Sequence, residues 1–518
     1  MTAYAKKKTA PFIGPEKLER YVRFFNDNDE ETVRQVIPNE QAAAFLRQQI
    51  PRFSCPDKQL EQTYYFRFWT LRKHIEKTED GFVISEFLPK VYWSGKHNTI
   101  ICAAGHQLAE ARWLKDTRIA EDYLRFWYGA GQAGAHDYVS WLPHAALELC
   151  RVSGDRTVLA DLFPAMVKDH LLWDDPVEVF GGEHITKDGC GLYHSFDFFD
   201  GGELSIGGHG YRPLFNSAQC ANAAAIARIA GMLGHPEEQQ IFAERADRLR
   251  RAIGEQLWDD DLRAFTVHDR QGRSRGVREL YGYAPWFFGL IGDEHAEAFD
   301  KLFDPQGFAA PYGLTFAEQS HPQFTLSYEG HECQWNGPIW PYACSIALGA
   351  VERLLDGGTQ SRVPPERYLS LLHTYAAAHQ RVTADGRVIP WIDEDLHPYS
   401  GDWISRTCLE RMGWPEGKGG YERGKDYDHS LFCDHVIRGL VGVHPTLSGT
   451  VRIRPLVSPK QWDSFCLEDV HCQGHRLTVV WDADGRIYGA PPGLSVYVDD
   501  CLIENRAQIE PITVDLRR

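Results

Sequence analysis

The chain has 518 residues, 43% hydrophobic and 25% charged, which is the balance of a folded globular protein and excludes a disordered one. Its formal net charge of −17 argues against a nucleic-acid groove or an anionic membrane surface, because both need basic patches. A neutral partner fits better, and the 15 Trp and 22 Tyr supply many side chains with an apolar face and a polar tip.

The lead-in, 1–56, opens MTAYAKKKTAPF, which is basic but has no apolar h-region. Nowhere do about eighteen apolar residues run together, so no membrane span is expected. With the acidic charge, this predicts a cytoplasmic protein. The 12 cysteines are scattered from Cys55 to Cys501 without a CxxC pair. They read as buried free thiols of a reducing compartment, not as a zinc or disulfide framework, and no metal or cofactor is expected.

A short helix is predicted at 39–49. From Lys58 onward, apolar residues at helical spacing predict long helices joined by loops rich in Gly, Pro and aromatics. The first, 59–75, carries Leu60, Tyr64, Phe68 and Leu71 on one face. Others follow at 98–114, 117–128, 137–153 and 155–173, with Gly154 as a stop and Asp155 as a cap for the next start. After a Gly-rich loop at 181–213 come 214–233, 236–257, 280–290 and 296–302. The last set is 338–355, 365–381, 401–412 and 429–441. Few strands are expected among them. Helix pairs closing into a ring would provide a deep central pocket, although the pattern alone also permits an open helical array. From about 444 the pattern changes to β-branched and aromatic clusters at 450–456, 466–470, 476–481 and 494–498, separated by Gly, Pro and Asp. The chain is therefore divided into a lead-in (1–56), a helical domain (57–443) and a small antiparallel β appendage (444–518).

Three stretches carry chemistry. Residues 327–341, SYEGHECQWNGPIWP, pack two tryptophans and several acidic or histidine side chains around an Asn-Gly-Pro turn that stops regular structure. Indole faces can stack on a pyranose while carboxylates and amides meet its hydroxyls; taken singly, each Trp would be read as core. Residues 196–208, FDFFDGGELSIGG, hold Asp197, Asp200 and Glu203 in a loop whose glycines allow close backbone approach to a ligand. The oxygen spacing does not fit a calcium loop. Residues 391–403, WIDEDLHPYSGDW, hold Asp393, Glu394, Asp395 and Asp402, and the plain alternative there is an acidic loop that caps the next helix.

These blocks resemble the clan of (α/α)6-barrel glycosidases that includes family 63 glucosidases, mannosylglycerate hydrolases and trehalases. WNGPIW, 335–340, is similar to its W-R-G-P-I/V-W block, with Asn336 in the Arg position. DGGELS, 200–205, resembles the S-G-M/L-D-x-S segment of the catalytic acid, with Glu203 in the Asp position. EDLHPYSG, 394–401, resembles E-x-Y-D-P-x-T-G, whose first residue is the catalytic base. The stretch 432–481 is similar to the close of mannosylglycerate-hydrolase-like domains. The resemblance implies a mainly α fold, an (α/α)6 toroid with the C-terminal β appendage, and an inverting glycosidase that removes one sugar from a short oligosaccharide or glycoside, of α-glucoside or α-mannoside type.

In such a reaction one carboxyl is protonated and the other ionised, on opposite faces of the sugar, about 6.5–9.5 Å apart so that a water fits. Glu203 is the expected acid and Glu394 the expected base. The acid's pKa is expected to rise through burial among Phe196, Phe198, Phe199 and Trp335 and through the like charge of Asp200. Asp200, Trp335, Asn336, Trp340, Glu332, His331, Trp391 and Trp93 are candidates for sugar contacts. The loop 87–98 and the segment DYVSW, 137–141, are further candidates for pocket wall, with core packing as the equal alternative. The partner is a small carbohydrate. Two other readings stay open: a sugar epimerase using histidines such as His194, His209, His331 and His379, and a sugar-binding protein without catalysis.

Overall fold

The computed structural model describes residues 7–179, 182–357 and 359–517. The first six residues of the lead-in, the start of the Gly-rich loop at 181 and the final residue of the β appendage lie outside them. The helices are α1 (Pro15–Asn26), α2 (Asn39–Gln49), α3 (Lys58–His74), α4 (Ile101–Ala111), α5 (Arg118–Trp127), α6 (Leu142–Ser153), α7 (Thr157–Leu172), α8 (Pro213–Leu233), α9 (Pro236–Gln256), α10 (Ala284–Phe287), α11 (Pro341–Gly357), α12 (Glu366–Ala377), α13 (Ile404–Arg411) and α14 (Phe432–Asp434). No helix among the described residues is long and apolar enough to cross a membrane.

The expected (α/α)6 ring is present. Helices α4, α6, α8, α10, α11 and α14 with its extension each pack on the next, and the last returns to the first. α4 and α11 are buried on almost every side, as inner staves must be, whereas α5, α7, α9 and α12 are buried along one stripe and form the outer layer. Gly154 ends α6 with φ 76°, a left-handed conformation that favours glycine, and Asp155 accepts the amide of Thr157 at 2.8 Å to start α7.

Three expectations needed revision. The segment 280–290 is a 3-10 turn (Leu280–Tyr283) followed by the single turn α10, with Pro285 in its first turn, where the missing N–H costs nothing. Residues 296–302 fall in a 3-10 run, Ala296–Phe303, which stands where a regular outer helix was expected. After α14 the chain widens into a π-helical turn, His435–Leu440, where the Tyr368 hydroxyl donates to the His435 carbonyl at 3.2 Å. Short strands are also more numerous in the helical region than their sequence signal implied: the Gly-rich loop contributes Glu183–Lys187, Tyr193–Ser195 and Gly210–Tyr211 to a four-stranded sheet. Each is five residues or fewer, too short for a period to be read.

The lead-in is structured. α1 and α2 cover α3, which is why α3 is buried nearly all round. The strand Arg52–Ser54 forms the edge of a five-stranded antiparallel sheet with Ser464–Cys472, His475–Asp482, Gly493–Val498 and Cys501–Arg506. A second sheet joins Val443–Pro445, Thr450–Ile453 and Ile512–Asp515. Glu468, fully buried beside the bulge of this first sheet, binds the ammonium of Lys8 at 2.7 Å and the amides of Phe12 and Ile13 at 3.0 Å, with Arg52 at 3.2 Å. All 12 cysteines are free, and most are buried.

Removing a buried carboxylate that serves several cations and amides leaves them uncompensated. Glu468→Ala is expected to cost about 3 kcal/mol, read as a lower urea midpoint. An unchanged midpoint would show that the lead-in is not anchored there.

Candidate functional site

Two of the three sequence stretches run into N-termini of inner helices, 196–208 into α8 and 327–341 into α11, while the third, 391–403, runs into α13. Glu86 and Trp93 precede α4, Tyr138 precedes α6, Glu203 precedes α8, Trp335 precedes α11 and Tyr427 precedes α14. One end of the ring therefore gathers residues from across the chain at the positive ends of its inner helices.

Glu203 lies in a turn fixed from both sides: its carbonyl accepts the Trp335 amide at 3.1 Å, and the Gly202 amide donates to the Asp197 carbonyl at 2.9 Å. Its carboxyl has no hydrogen-bond donor among the described residues other than its own backbone amide. Burial pushes its pKa up to about 8, and the negative charges of Asp197, Glu394 and Glu86 add to the shift. Asp200 takes no part in this. It is fully buried and held by Arg212 Nε at 2.6 Å, so the like charge expected from Asp200 comes instead from Asp197, Glu394 and Glu86. Burial raises Asp200 itself to about 6, with Arg212 opposing. Phe196 and Phe198 stack on each other beside this turn, and Phe199 belongs to the core.

Glu394 is 1% exposed. Arg423 grips it with both arms of its guanidinium, Nε to Oε1 at 2.8 Å and Nη2 to Oε2 at 3.1 Å, and the Cys333 thiol donates to Oε2 at 3.2 Å. Arg423 Nη1 meanwhile binds Glu332 at 2.6 Å, and Lys418 reaches the same oxygen at 2.5 Å. One guanidinium thus serves two buried carboxylates. Against burial, Arg423 and Lys418 hold Glu332 down at about 2. For Glu394, burial outweighs Arg423 and leaves its pKa above the ordinary carboxylate value. The acidic neighbours follow the plainer reading. Asp393 pairs with Arg406 at 2.8 Å, and Asp395 caps α13 by accepting the Ser405 amide at 2.8 Å.

The other sequence candidates divide. Trp335 and Trp340 stack on each other, ring centres 3.9 Å apart and 8° from parallel, across the Asn-Gly-Pro turn. Gly337 is required there, since a Cβ would fall 2.0 Å from the Thr325 carbonyl oxygen. Trp93 lies beside Glu394's partner, with the Arg423 guanidinium 4.8 Å from its ring centre. Trp391 is occupied by the guanidinium groups of Arg381 and Arg406, at 4.8 and 4.9 Å. Glu332 is committed to Arg423 and Lys418. His331 is exposed, and its Nδ1 accepts the Cys333 amide at 3.1 Å. Of the histidines considered for an epimerase, His379 is buried against Tyr375 and bonds Ser430 at 2.8 Å, and none of the four bonds Glu203 or Glu394 among the described residues.

Sequence reasoning missed Glu86, Arg423, Cys333, Tyr427 and His429. Glu86 accepts the Tyr427 hydroxyl at 2.6 Å and lies 2.9 Å from His429 Nε2. Five buried polar atoms of these residues make no hydrogen bond among the described residues: Glu86 Oε2, His429 Nδ1 and Nε2, Trp335 Nε1 and Asn336 Oδ1. Unpaired buried polar atoms are costly, and a ligand rich in hydroxyls offers both the donors and the acceptors they lack.

Arg423→Met would leave Glu394 and Glu332 buried without their cation. The expected result is a further rise in the Glu394 pKa, seen as an acidic limb of the activity profile displaced by at least about one pH unit, and a stability loss of about 3 kcal/mol. A profile that does not move would remove Arg423 from the electrostatics of the site.

Residues 96–430 match the family model described as "Mannosylglycerate hydrolase MGH1-like glycoside hydrolase domain". A solved structure named "Sialidase" is 31% identical with a TM-score of 0.87, over 97% of this chain and 45% of that one. The fold is also similar to a GH78 family rhamnosidase of Bacillus sp. GL1 (16% identical, TM-score 0.52, 86% of this chain and 41% of that one). It is similar again to the Streptomyces avermitilis alpha-L-rhamnosidase (13% identical, TM-score 0.50, 87% and 37%). The chain spans less than half the length of each of these three. With the ring, the two acidic loops and a family match over most of its length, the chain belongs to the MGH1-like glycoside hydrolase family.

Proposed function

We propose that the chain is an inverting, exo-acting glycosidase that releases one neutral hexose from a short oligosaccharide or glycoside, with Glu203 as general acid and Glu394 as general base. The observation that carries this reading is the contrast between two carboxyls at one mouth of the ring. Glu203 has no cationic partner and is held protonated up to about pH 8, whereas Glu394 is gripped by a guanidinium that favours its ionised form. They are near enough for the charge of Glu394 to raise the pKa of Glu203.

In the proposed reaction the Glu203 carboxyl donates its proton to the glycosidic oxygen as the bond from C1 to that oxygen breaks. A water on the opposite face forms the new bond to C1 and gives its proton to Glu394. Arg423 fixes both oxygens of Glu394, which leaves Oε1 a lone pair for that water. Because Glu332 shares the same guanidinium, Glu394 keeps more basicity than an exclusive pair would allow. The chemistry calls for no metal or cofactor. Trp335, Asn336, Trp93 and Glu86 are the proposed sugar contacts. An α-glucoside or α-mannoside is the substrate type in keeping with the family.

The name of the 31% identical structure raises sialic acid as a second reading. The charges near Glu203 speak against it: Asp197, Glu86 and Glu394 are all acidic, and Arg423 is already committed to two carboxylates. A carboxylated sugar ring would meet repulsion there. A cytoplasmic enzyme acting on imported glycosides is the proposed setting; finding the protein outside the cell would overturn it.

Glu203→Gln and Glu394→Gln are each expected to lower kcat by about 10²–10⁴ with the fold intact, and parent-like rates in both would refute the assignment. Following the first-formed anomer by proton NMR is expected to show inversion; a retained anomer would make Glu394 a nucleophile. The activity profile should fall as pH rises through about 8, where Glu203 loses its proton, and fall again toward acid as Glu394 gains one. With an aryl glycoside whose leaving group needs no proton, Glu203→Gln should recover most activity and lose the alkaline limb.

A further inference from the structure

The far end of the ring, where the inner helices finish, holds a cavity of about 620 Å³, within the range of small-molecule sites. Its lining comes from along α6, from the C-terminal part of α11, from Arg112 just past α4, from α8 and α9, and from Arg438 in the π-helical turn. His444 and Arg452, from the two strands that follow, close it.

Seven arginines line this cavity in a chain of net charge −17. Some of that charge is structural. Arg112 pairs with Asp434, Arg438 with Glu148 and Glu352 at 3.2 Å each, Arg452 with Asp356 at 2.5 Å and Arg151 with Glu148 at 3.0 Å. Cations at helix C-termini also answer the negative end of the macrodipole. Arg353 and Arg228 stand outside these pairs. Both line the cavity, and neither has an ion pair within 4 Å or a hydrogen bond among the described residues, although Arg228 is exposed and the charges of Glu148, Glu352 and Asp356 act on Arg353. Arg353 lies next to Arg438, and burial together with that like charge lowers its pKa. Neighbouring groups feel the same field. Burial and the surrounding arginines hold His144 at about 4, and burial followed by Arg438 holds His444 at about 3.

We propose that this cavity is a binding site, separate from the carboxylate mouth, for a small molecule bearing two or more negative charges as phosphate or carboxylate groups, held by the free guanidinium groups of Arg353 and Arg228. The planar fork of Arg suits either oxyanion, and a ligand of this charge supplies what the unpaired guanidiniums lack.

The test is calorimetric titration of the full chain at low ionic strength with inorganic pyrophosphate and, separately, with citrate. At least one is expected to bind with a Kd below about 1 mM, weakening steeply with added salt. The two arms separate a phosphate site from a carboxylate site. Arg353→Met and Arg228→Met should each weaken that binding at least about tenfold, equivalent to about 1.4 kcal/mol, and leave glycoside hydrolysis without anion unchanged. If neither anion binds, or if both variants bind like the parent, the proposal fails. Should Arg353→Met not fold, Arg228→Met decides. None of these outcomes depends on whether Glu203 and Glu394 are catalytic.

Discussion

One guanidinium shared between two buried carboxylates is the interaction on which the carboxylate mouth depends. Arg423 reaches Glu394 with two nitrogens and Glu332 with the third, and its flat face lies over Trp93. A lone carboxylate at this depth would be neutral, and an exclusive Arg pair would make it too weak a base to take a proton from water. Division of the charge puts Glu394 between those limits. The same contacts tie the loop before α11 to the loop before α14, so electrostatics and loop geometry are set by one side chain.

The ring explains why so few residues suffice. Inner helices converge their N-termini at one end, and each entering loop needs to present only one or two side chains. The stacked pair Trp335 and Trp340 then acts less as a pair of platforms than as a rigid strut, for the Trp335 backbone amide fixes the carbonyl of Glu203. Asp200 and Arg212 brace the same turn from beneath. Position at the mouth is thus secured by buried groups packed around the Glu203 turn.

Much of this was legible in the sequence. Long apolar periodicity located most of the longer helices to within a few residues but not the segments at 280–290, 296–302 and 429–441, and Gly154 marked a stop because its backbone conformation leaves few alternatives. Glu203 and Glu394 stood out because each lies in an acidic loop opening onto a helix. What could not be read were partners fixed only by tertiary packing. Arg423 sits in YERGKDYDH, a run whose charges look solvated, and Glu86 is one acid among aliphatics. Neither spacing nor residue type reports that Arg423 meets Glu394, 29 positions away, or that Glu86 meets Tyr427, 341 positions away. Asp200 misled for the converse reason: its proximity in sequence to Glu203 hid a private ion pair with Arg212. The short strands escaped because a period of two needs more residues than they contain.

The strand Arg52–Ser54 has its hydrogen-bonding partner more than four hundred positions later, and Arg52 contacts Asp469 across 417 residues. A ribosome therefore releases α1, α2 and this strand long before the edge they complete exists. Until then an unpaired strand and the carboxylate-seeking Lys8 and Arg52 stay open to solvent or to chaperones. Maturation of the molecule is consequently gated by its last fifth, and a truncation removing that region would disturb helices that precede the ring as much as the sheet itself.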